Sequence, residues 1–489
     1  MDTSLARQPS TEDAPLLART PWITPRRLIG FVVGWLMLFA LLSVFVSNPF
    51  QSEPRAGVLP DFAHVMFLHG LLIGMVGLMA LITLQVFAIR SWHVRLWIAG
   101  GVVAATVLAS VGGIWDRTVP GSEVPMWTQV FGFFALDEIL LLLVLAMVAE
   151  WRRSRAARTL TYLAAGLASA SMLIAAVMGH LAGWLMEFGY WPGFLGQVGA
   201  WMGFASVNDF AHALVGSHSH EMAVAAMALI VTLLAQQFGY ATRPGAAKLA
   251  AGVGLAMVAG GTILMTAIYV ATAFSQLAIP TIMQSGANGI PGDDVVTGLL
   301  VMGGGVVVSL SLLTRRVLRA PVRLAAIWAY VLSFATVALA GYTIELNTSY
   351  FGAGDPKAAG AAKDAIFTWM HQDIGLFLLP TVVAIMVAAQ LLVRGGRRDL
   401  IGWVTTAGVT VSFAGAMVWS FVNPALYGPG YVISTVGVLL VGVALAATLW
   451  WGVVARPRTA AMALPPPSLP VKPLELPVVA RRREDAIVK

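Results

Sequence analysis

Residues 207–236 read VNDFAHALVGSHSHEMAVAAMALIVTLLAQ. From Met222 onward the run is apolar except for Thr232 and the final Gln236, while the first half carries Asp209, His212, His218, His220 and Glu221. At about 1.5 Å of rise per residue, a helix over this stretch is long enough to cross the roughly 30 Å hydrocarbon core of a bilayer. Titratable side chains cost free energy in hydrocarbon, so their presence inside such a helix marks a candidate functional site. Neutral imidazole is also the commonest metal ligand.

The rest of the chain supports a membrane reading of that stretch. Over 489 residues, 58% are hydrophobic and 11% charged, values that belong to a polytopic membrane protein and not to a soluble domain. Apolar runs of about 20 residues place twelve spans at 28–47, 61–89, 96–114, 126–149, 159–185, 207–236, 249–274, 298–314, 324–343, 364–393, 401–421 and 431–454. The fold class expected is therefore an all-α integral membrane protein with twelve transmembrane helices.

The basic residues test that number. With the N-terminus inside, 26 of the 30 Lys and Arg fall in inner segments, and only Arg55, Arg117, Lys357 and Lys363 fall outside. A missed or invented span would scramble this pattern, so the positive-inside rule places both termini in the cytoplasm. The expected localisation is the cell's inner (plasma) membrane. The net charge of +7 is explained by topology, with a secondary attraction to anionic membrane lipid, and calls for no nucleic acid. Residues 1–27 read as a cytoplasmic N-terminal segment, 28–454 as the membrane domain, and 455–489 as a disordered, Pro-rich, basic cytoplasmic tail with Pro465-Pro466-Pro467 and Arg481-Arg482-Arg483. The first span reads as retained and not as a cleaved signal. Cysteine is absent, which excludes disulfides, cysteine-ligated clusters, thiolate-bound copper and covalent haem attachment.

A repeat runs through the spans. Phe62-Ala63-His64 and Met79-Ala80-Leu81-Ile82 in span 2 match Phe210-Ala211-His212 and Met227-Ala228-Leu229-Ile230 in span 6, at a constant offset of 148. Span 10, with Phe367 and His371, occupies the next equivalent place more loosely. Either this is coincidence among small apolar residues, or the chain holds three repeats of four helices. All of the histidines except His93 lie in the spans, near one face of the membrane: His64, His69, His180, His212, His218, His220 and His371. Spans 2, 6 and 10 all begin on the outer side, which sets their histidines roughly 5–20 Å in from that end.

Helical geometry constrains what these residues can do together. At about 100° per residue, His218 and His220 point about 200° apart, so they serve opposite faces of one helix. A His-x-His helix thus suits a position between two centres, whereas His218 and Glu221, three residues apart, share a face. The bland alternative is polar lining of a wet cavity or helix interface. His64 and His69 differ by about 140° on the same arithmetic, so one of them faces a given centre. His180 has no partner nearby in sequence and reads as structural. Asp137 and Glu138, at mid-depth in span 4, are expensive to bury unless protonated, paired or wet; they read as an interhelical contact or a proton path.

Twelve helices in three repeats, with histidines on helices 2, 6 and 10, resemble the catalytic subunit of the haem–copper oxidase superfamily, which includes nitric oxide reductases. His69-Gly70-Leu71-Leu72-Ile73-Gly74-Met75 is similar to the family's helix 2 segment bearing a low-spin haem ligand. Val215-Gly216-Ser217-His218-Ser219-His220, followed by Met222 and Met227, resembles the family's helix 10 motif, in which two histidines serve two haems. The chain departs from the family in carrying this motif on span 6, in having His371-Gln372-Asp373 on span 10, and in lacking the paired copper histidines on span 7. The resemblance implies a divergent relative that transfers electrons and reduces a small gas, oxygen or nitric oxide. It implies His69 and His371 (with His64 the alternative on span 2) as axial ligands of haem b. It further implies His218 or His220 on a second haem or a copper or non-haem iron ion, with His212 and Glu221 as further metal ligands and His218, His220 and Glu221 as the catalytic group. A cytochrome subunit or quinol would supply electrons. The rival expectation is a proton-coupled or metal-ion transporter using the same histidines, whose sites would lie nearer mid-bilayer; a haem-storing protein without turnover is a third.

Overall fold

The computed structural model describes residues 27–35, 62–118 except Ala88 and Arg90, 123–186, 192–274, 298–346, 370–418 except Gln372, Asp373 and Phe377, and 427–455. The described residues are helical, with no strand among them. Both terminal segments and the tail expected to be disordered lie outside the described residues.

Helical residues occur within each predicted span, of which the first is described only over 27–35 and the tenth only in part. The helices are α1 (27–35), α2 (Phe62–Val86), α3 (Trp92–Thr118), α4 (Glu123–Arg153), α5 (Leu160–Met186), α6 (Val207–Gln237) and α7 (Gly245–Phe274). Then follow α8 (298–311), α9 (Pro321–Leu346), α10 (Leu379–Leu392), α11 (Gly396–Met417) and α12 (427–454). A shorter helix, Pro192–Trp201, links α5 to α6. Among the described residues nine helices are long and apolar enough to cross a membrane, and the apolar stretches of α2 and α8 are shorter. The chain is a multi-pass membrane protein whose apolar helices contact lipid.

Local chemistry sets the helix ends. Ser206 caps α6: its Oγ accepts from Asp209 N at 3.1 Å, satisfying one first-turn amide, and donates to Asp209 Oδ2 at 2.8 Å. Gly239, at φ 72°, turns the chain out of α6, and Gly395, at φ 64°, precedes α11; a residue with Cβ would be strained at either.

Centrality differs sharply between helices. In the spans of α6 and α10, 78% and 82% of residues are buried, against 33–56% in the other candidate spans. Those two helices and α2 touch one another pairwise, so these three helices form the middle of the bundle. Thr381 Oγ1 of α10 lies 3.3 Å from Met75 Sδ of α2, deep in this core. Around it α5 and α7 flank α6, α3 and α4 pair beside α2, and α9, α11 and α12 pack in sequence next to α10. Small residues permit close approach, as membrane helices require: a Cβ at Gly112 of α3 would fall 2.6 Å from Gln129 N of α4.

The basic connections share one end of the bundle. Arg323 at the start of α9 lies within electrostatic reach of Arg243, between α6 and α7, and of Arg398 at the start of α11. Arg397 stacks over Trp451 near the end of α12 at 5.8 Å.

Candidate functional site

The histidine-rich half of α6 sits where α5, α6 and α7 meet. Its residues divide between two faces, as the 100° rule demands. His218 turns to α5, where its Nδ1 donates to Ala175 O at 2.7 Å. Glu221 turns the same way, accepting at Oε1 from Ser171 Oγ at 2.9 Å, one turn along α5 from Ala175. His220 turns instead to α7, its ring stacked on Tyr269 with centroids 6.0 Å apart and planes 22° from parallel. Its Nδ1 donates to Gly216 O, four residues back, at 2.9 Å.

Gly179 is what lets His218 reach α5. A Cβ on Gly179 would fall 2.5 Å from His218 Nδ1, inside van der Waals contact, so any larger residue displaces the imidazole.

Glu221 is fully buried near the middle of its span. Thr266 Oγ1 of α7 donates to Ser171 Oγ at 2.8 Å, and Ser171 donates onward to the carboxyl. One chain of hydroxyls thus ties three helices to one carboxyl oxygen. The other oxygen, Oε2, is buried without a hydrogen-bond partner among the described residues. A buried carboxyl held on one side only has a strong demand for a proton, a cation or water.

A second constellation lies between α4 and α5. Asp137 Oδ2 is 2.6 Å from His180 Nδ1, and the imidazole stacks on Phe134 at 4.9 Å and meets the edge of Phe133 at 5.7 Å. His180 Nε2 is buried and has no hydrogen-bond partner among the described residues. The residue that reads as structural from sequence is therefore the base of a carboxylate–histidine pair. Its neighbour Glu138 is exposed on the outer face of α4, beside the exposed Phe131, Phe134, Leu141 and Leu145. Of the two adjacent carboxyls, only Asp137 makes the interhelical contact.

His371 is half-buried in a π-helical turn, residues 370–371 and 374–376, that leads into α10. Ser333 Oγ of α9 donates to Gly375 O at 2.6 Å and braces this turn. Widened turns of this kind occur often at functional sites. The side chains of His64, His69 and His212 lie outside the described residues, although all three stand on helical backbone of α2 and α6. Asp209, part of the same polar stretch, is accounted for as a capping residue.

How well these residues fit a metal or haem can be judged from the donors. In His218, His220 and His180 the Nδ1 position faces an oxygen acceptor, which leaves Nε2 as the nitrogen that a bound group would use. That is the arrangement of a ligating histidine oriented by its other nitrogen. It suits axial ligation of haem b, which takes one imidazole on each side. A copper or non-haem iron ion needs several ligands together, and among the described residues no three His, Asp or Glu side chains are gathered closely enough to hold one. His218 and Glu221 share a face, as expected, but the further ligand that a metal there requires is not among the described side chains.

Two groups escape a sequence reading. The Asp137–His180 pair joins residues 43 apart on different helices, and only the α4–α5 packing brings them together. Tyr330 of α9 is fully buried, with a hydroxyl that has no hydrogen-bond partner among the described residues. Nothing local in Ala329-Tyr330-Val331 distinguishes it from an interfacial tyrosine. The helix cap Ser206-Val207-Asn208-Asp209, in contrast, carries a spacing that sequence alone could have exposed.

No family model, curated protein or solved structure matches this chain.

Proposed function

We propose that this chain is a membrane haem protein that handles electrons, a divergent relative of the haem–copper oxidase catalytic subunits acting on oxygen or nitric oxide. The observation that carries this reading is the convergence at the middle of the bundle of α2, α6 and α10, which bear histidines or, for α10, follow directly on His371. In the proposed arrangement twelve helices in three repeats of four cross the inner membrane, with both termini cytoplasmic and the histidines toward the outer face. His69 of α2 (or His64) and His371 of α10 hold a low-spin haem b between two helices that are in direct contact. His218 or His220 serves a second haem or a copper or non-haem iron ion, with His212 and Glu221 completing that site, and His218, His220 and Glu221 form its reactive group.

Haem b, when bound, supplies the one-electron chemistry. The chain's own residues do the rest. Ala175 O and Gly216 O fix the proton on Nδ1 of His218 and His220 and so fix ring orientation. Glu221, deprived of a partner at Oε2, holds or releases a proton at that atom. Tyr269 and Phe134 enclose imidazoles in apolar surroundings. A cytochrome subunit or a quinol delivers electrons.

The test is spectral. Protein purified from haem-replete cells should give sharp reduced bands of bis-histidine haem b, abolished in His69→Ala and in His371→Ala, with His93→Ala unchanged. Bands that persist in both variants would remove this assignment.

A second reading, a proton-coupled or metal-ion transporter, is favoured by one specific observation: the Glu221–Ser171–Thr266 chain lies close to mid-span, where transporter sites sit. A colourless protein that carries protons or a divalent cation across liposomes, and loses this in Glu221→Gln, would establish it.

A further inference from the structure

At the basic end of the bundle three arginines from separate connections come together without an acidic partner. Arg243 and Arg323 are both organised by Phe238, the residue that ends α6. Arg243 Nη2 donates to Phe238 O at 3.3 Å, and the Arg323 guanidinium lies over the Phe238 ring, 5.2 Å from its centroid. Arg398, from the first turn of α11, adds a third positive charge within electrostatic reach of Arg323. All three are half-buried. Among the described residues no carboxylate forms an ion pair with any of them; Asp399, the nearest acid in sequence, points to no such bridge. The Nε atoms of Arg243 and Arg323 are buried with no hydrogen-bond partner.

Like charges brought together in a partly desolvated place repel one another, and unsatisfied charged donors add a further cost. Such a cluster persists where an anion completes it. Its position between helix ends, at the level where a bilayer changes from hydrocarbon to headgroup, selects the chemistry: basic pockets between transmembrane helices bind anionic headgroups, and guanidinium forks match phosphate oxygens. Phe238 supplies an apolar wall beside the donors.

We propose that Arg243, Arg323 and Arg398 form a phosphate-binding site at the junction of the α6–α7, α8–α9 and α10–α11 connections. Its occupant is a phosphate-bearing anion, either the headgroup of an anionic phospholipid or free phosphate. Bound there, the anion would tie together the ends of α6, α9 and α11 and so brace the central helices from one side.

The experiment uses the full chain in neutral detergent, with native mass spectrometry and thermal midpoints in three additions: phosphatidylglycerol, phosphatidylcholine and inorganic phosphate. Phosphatidylglycerol should be retained and should raise the midpoint, and phosphatidylcholine should not. Affinity should fall about tenfold in Arg323→Gln and in Arg398→Gln, the scale of one charge-assisted hydrogen bond. Arg152→Gln, an exposed arginine at the end of α4, should leave it unchanged. Inorganic phosphate reproducing the arginine-dependent rise would identify free phosphate as the occupant; a rise with phosphatidylglycerol alone would identify the lipid. Should Arg323→Gln fail to fold, Arg398→Gln carries the comparison. Equal binding in wild type and Arg398→Gln, an equal loss in Arg152→Gln, or no response to either anionic addition, phosphatidylglycerol or inorganic phosphate, would overturn the proposal.

Discussion

α6 and α4 each carry a carboxyl near the middle of the helix and treat it in opposite ways. On α6, Glu221 is fully buried and is tied through Ser171 to Thr266, so three helices converge on one side chain. On α4, whose span is 44% buried, Asp137 turns inward to His180 while Glu138 faces outward. Burial alone does not separate structural from functional carboxyls. What differs is how many elements depend on each one, and that difference can be measured.

The largest effect is expected at Glu221. Truncation to Ala leaves a cavity and strands the Ser171 hydroxyl, which on the scale of buried large-to-small changes costs about 2–5 kcal/mol. Glu221→Gln keeps the acceptor for Ser171 and should cost less than about 1 kcal/mol. Thermal or denaturant unfolding in detergent checks both. Equal losses in the two variants would mean that the charge, and not the hydrogen-bonded shape, matters to the fold.

Gly179→Val should follow. The added side chain would press on the His218 ring, breaking its bond to Ala175 O, at a cost of about 1–3 kcal/mol. Any spectral or metal signal that depends on His218 should shift with it, while a signal that depends on His220, on the opposite face, should not. A change common to both would contradict the two-face division of α6.

The two carboxyls of α4 sharpen the comparison. Asp137→Ala removes the partner of His180 and should destabilise by about 1–3 kcal/mol. Glu138→Gln should leave the midpoint unchanged or raise it, since a charge at mid-bilayer is unfavourable. A loss at Glu138 as large as that at Asp137 would show that a partner covers the outer face of α4. The smallest effect is expected at Ser206→Ala, about 1 kcal/mol for a lost helix cap, read in the same unfolding experiment.

Much of the architecture was legible because it rests on one-dimensional quantities. Span positions follow from apolar length and from the sorting of Arg to one side, and nine helices among the described residues are long and apolar enough to cross a membrane. The opposition of His218 and His220 follows from residue angles alone. What sequence does not carry is which helix each face meets. His180 looked unpartnered because its partner lies on a neighbouring helix, and the arginines of three connections looked like ordinary topology signals because their convergence depends on how α6, α9 and α11 pack. The expected multi-ligand metal site depends on the same packing: His218 and His220 meet different neighbouring helices, and among the described residues no three His, Asp or Glu side chains are gathered.

The central claim, that the converging histidine helices hold haem b, is tested most directly by the reduced-minus-oxidised absorption spectrum of the purified full-length chain, with iron and copper analysis of the same sample. The account predicts sharp bands of a six-coordinate b-type haem with at least one iron per chain. A featureless spectrum and no bound iron from haem-replete cells would contradict it.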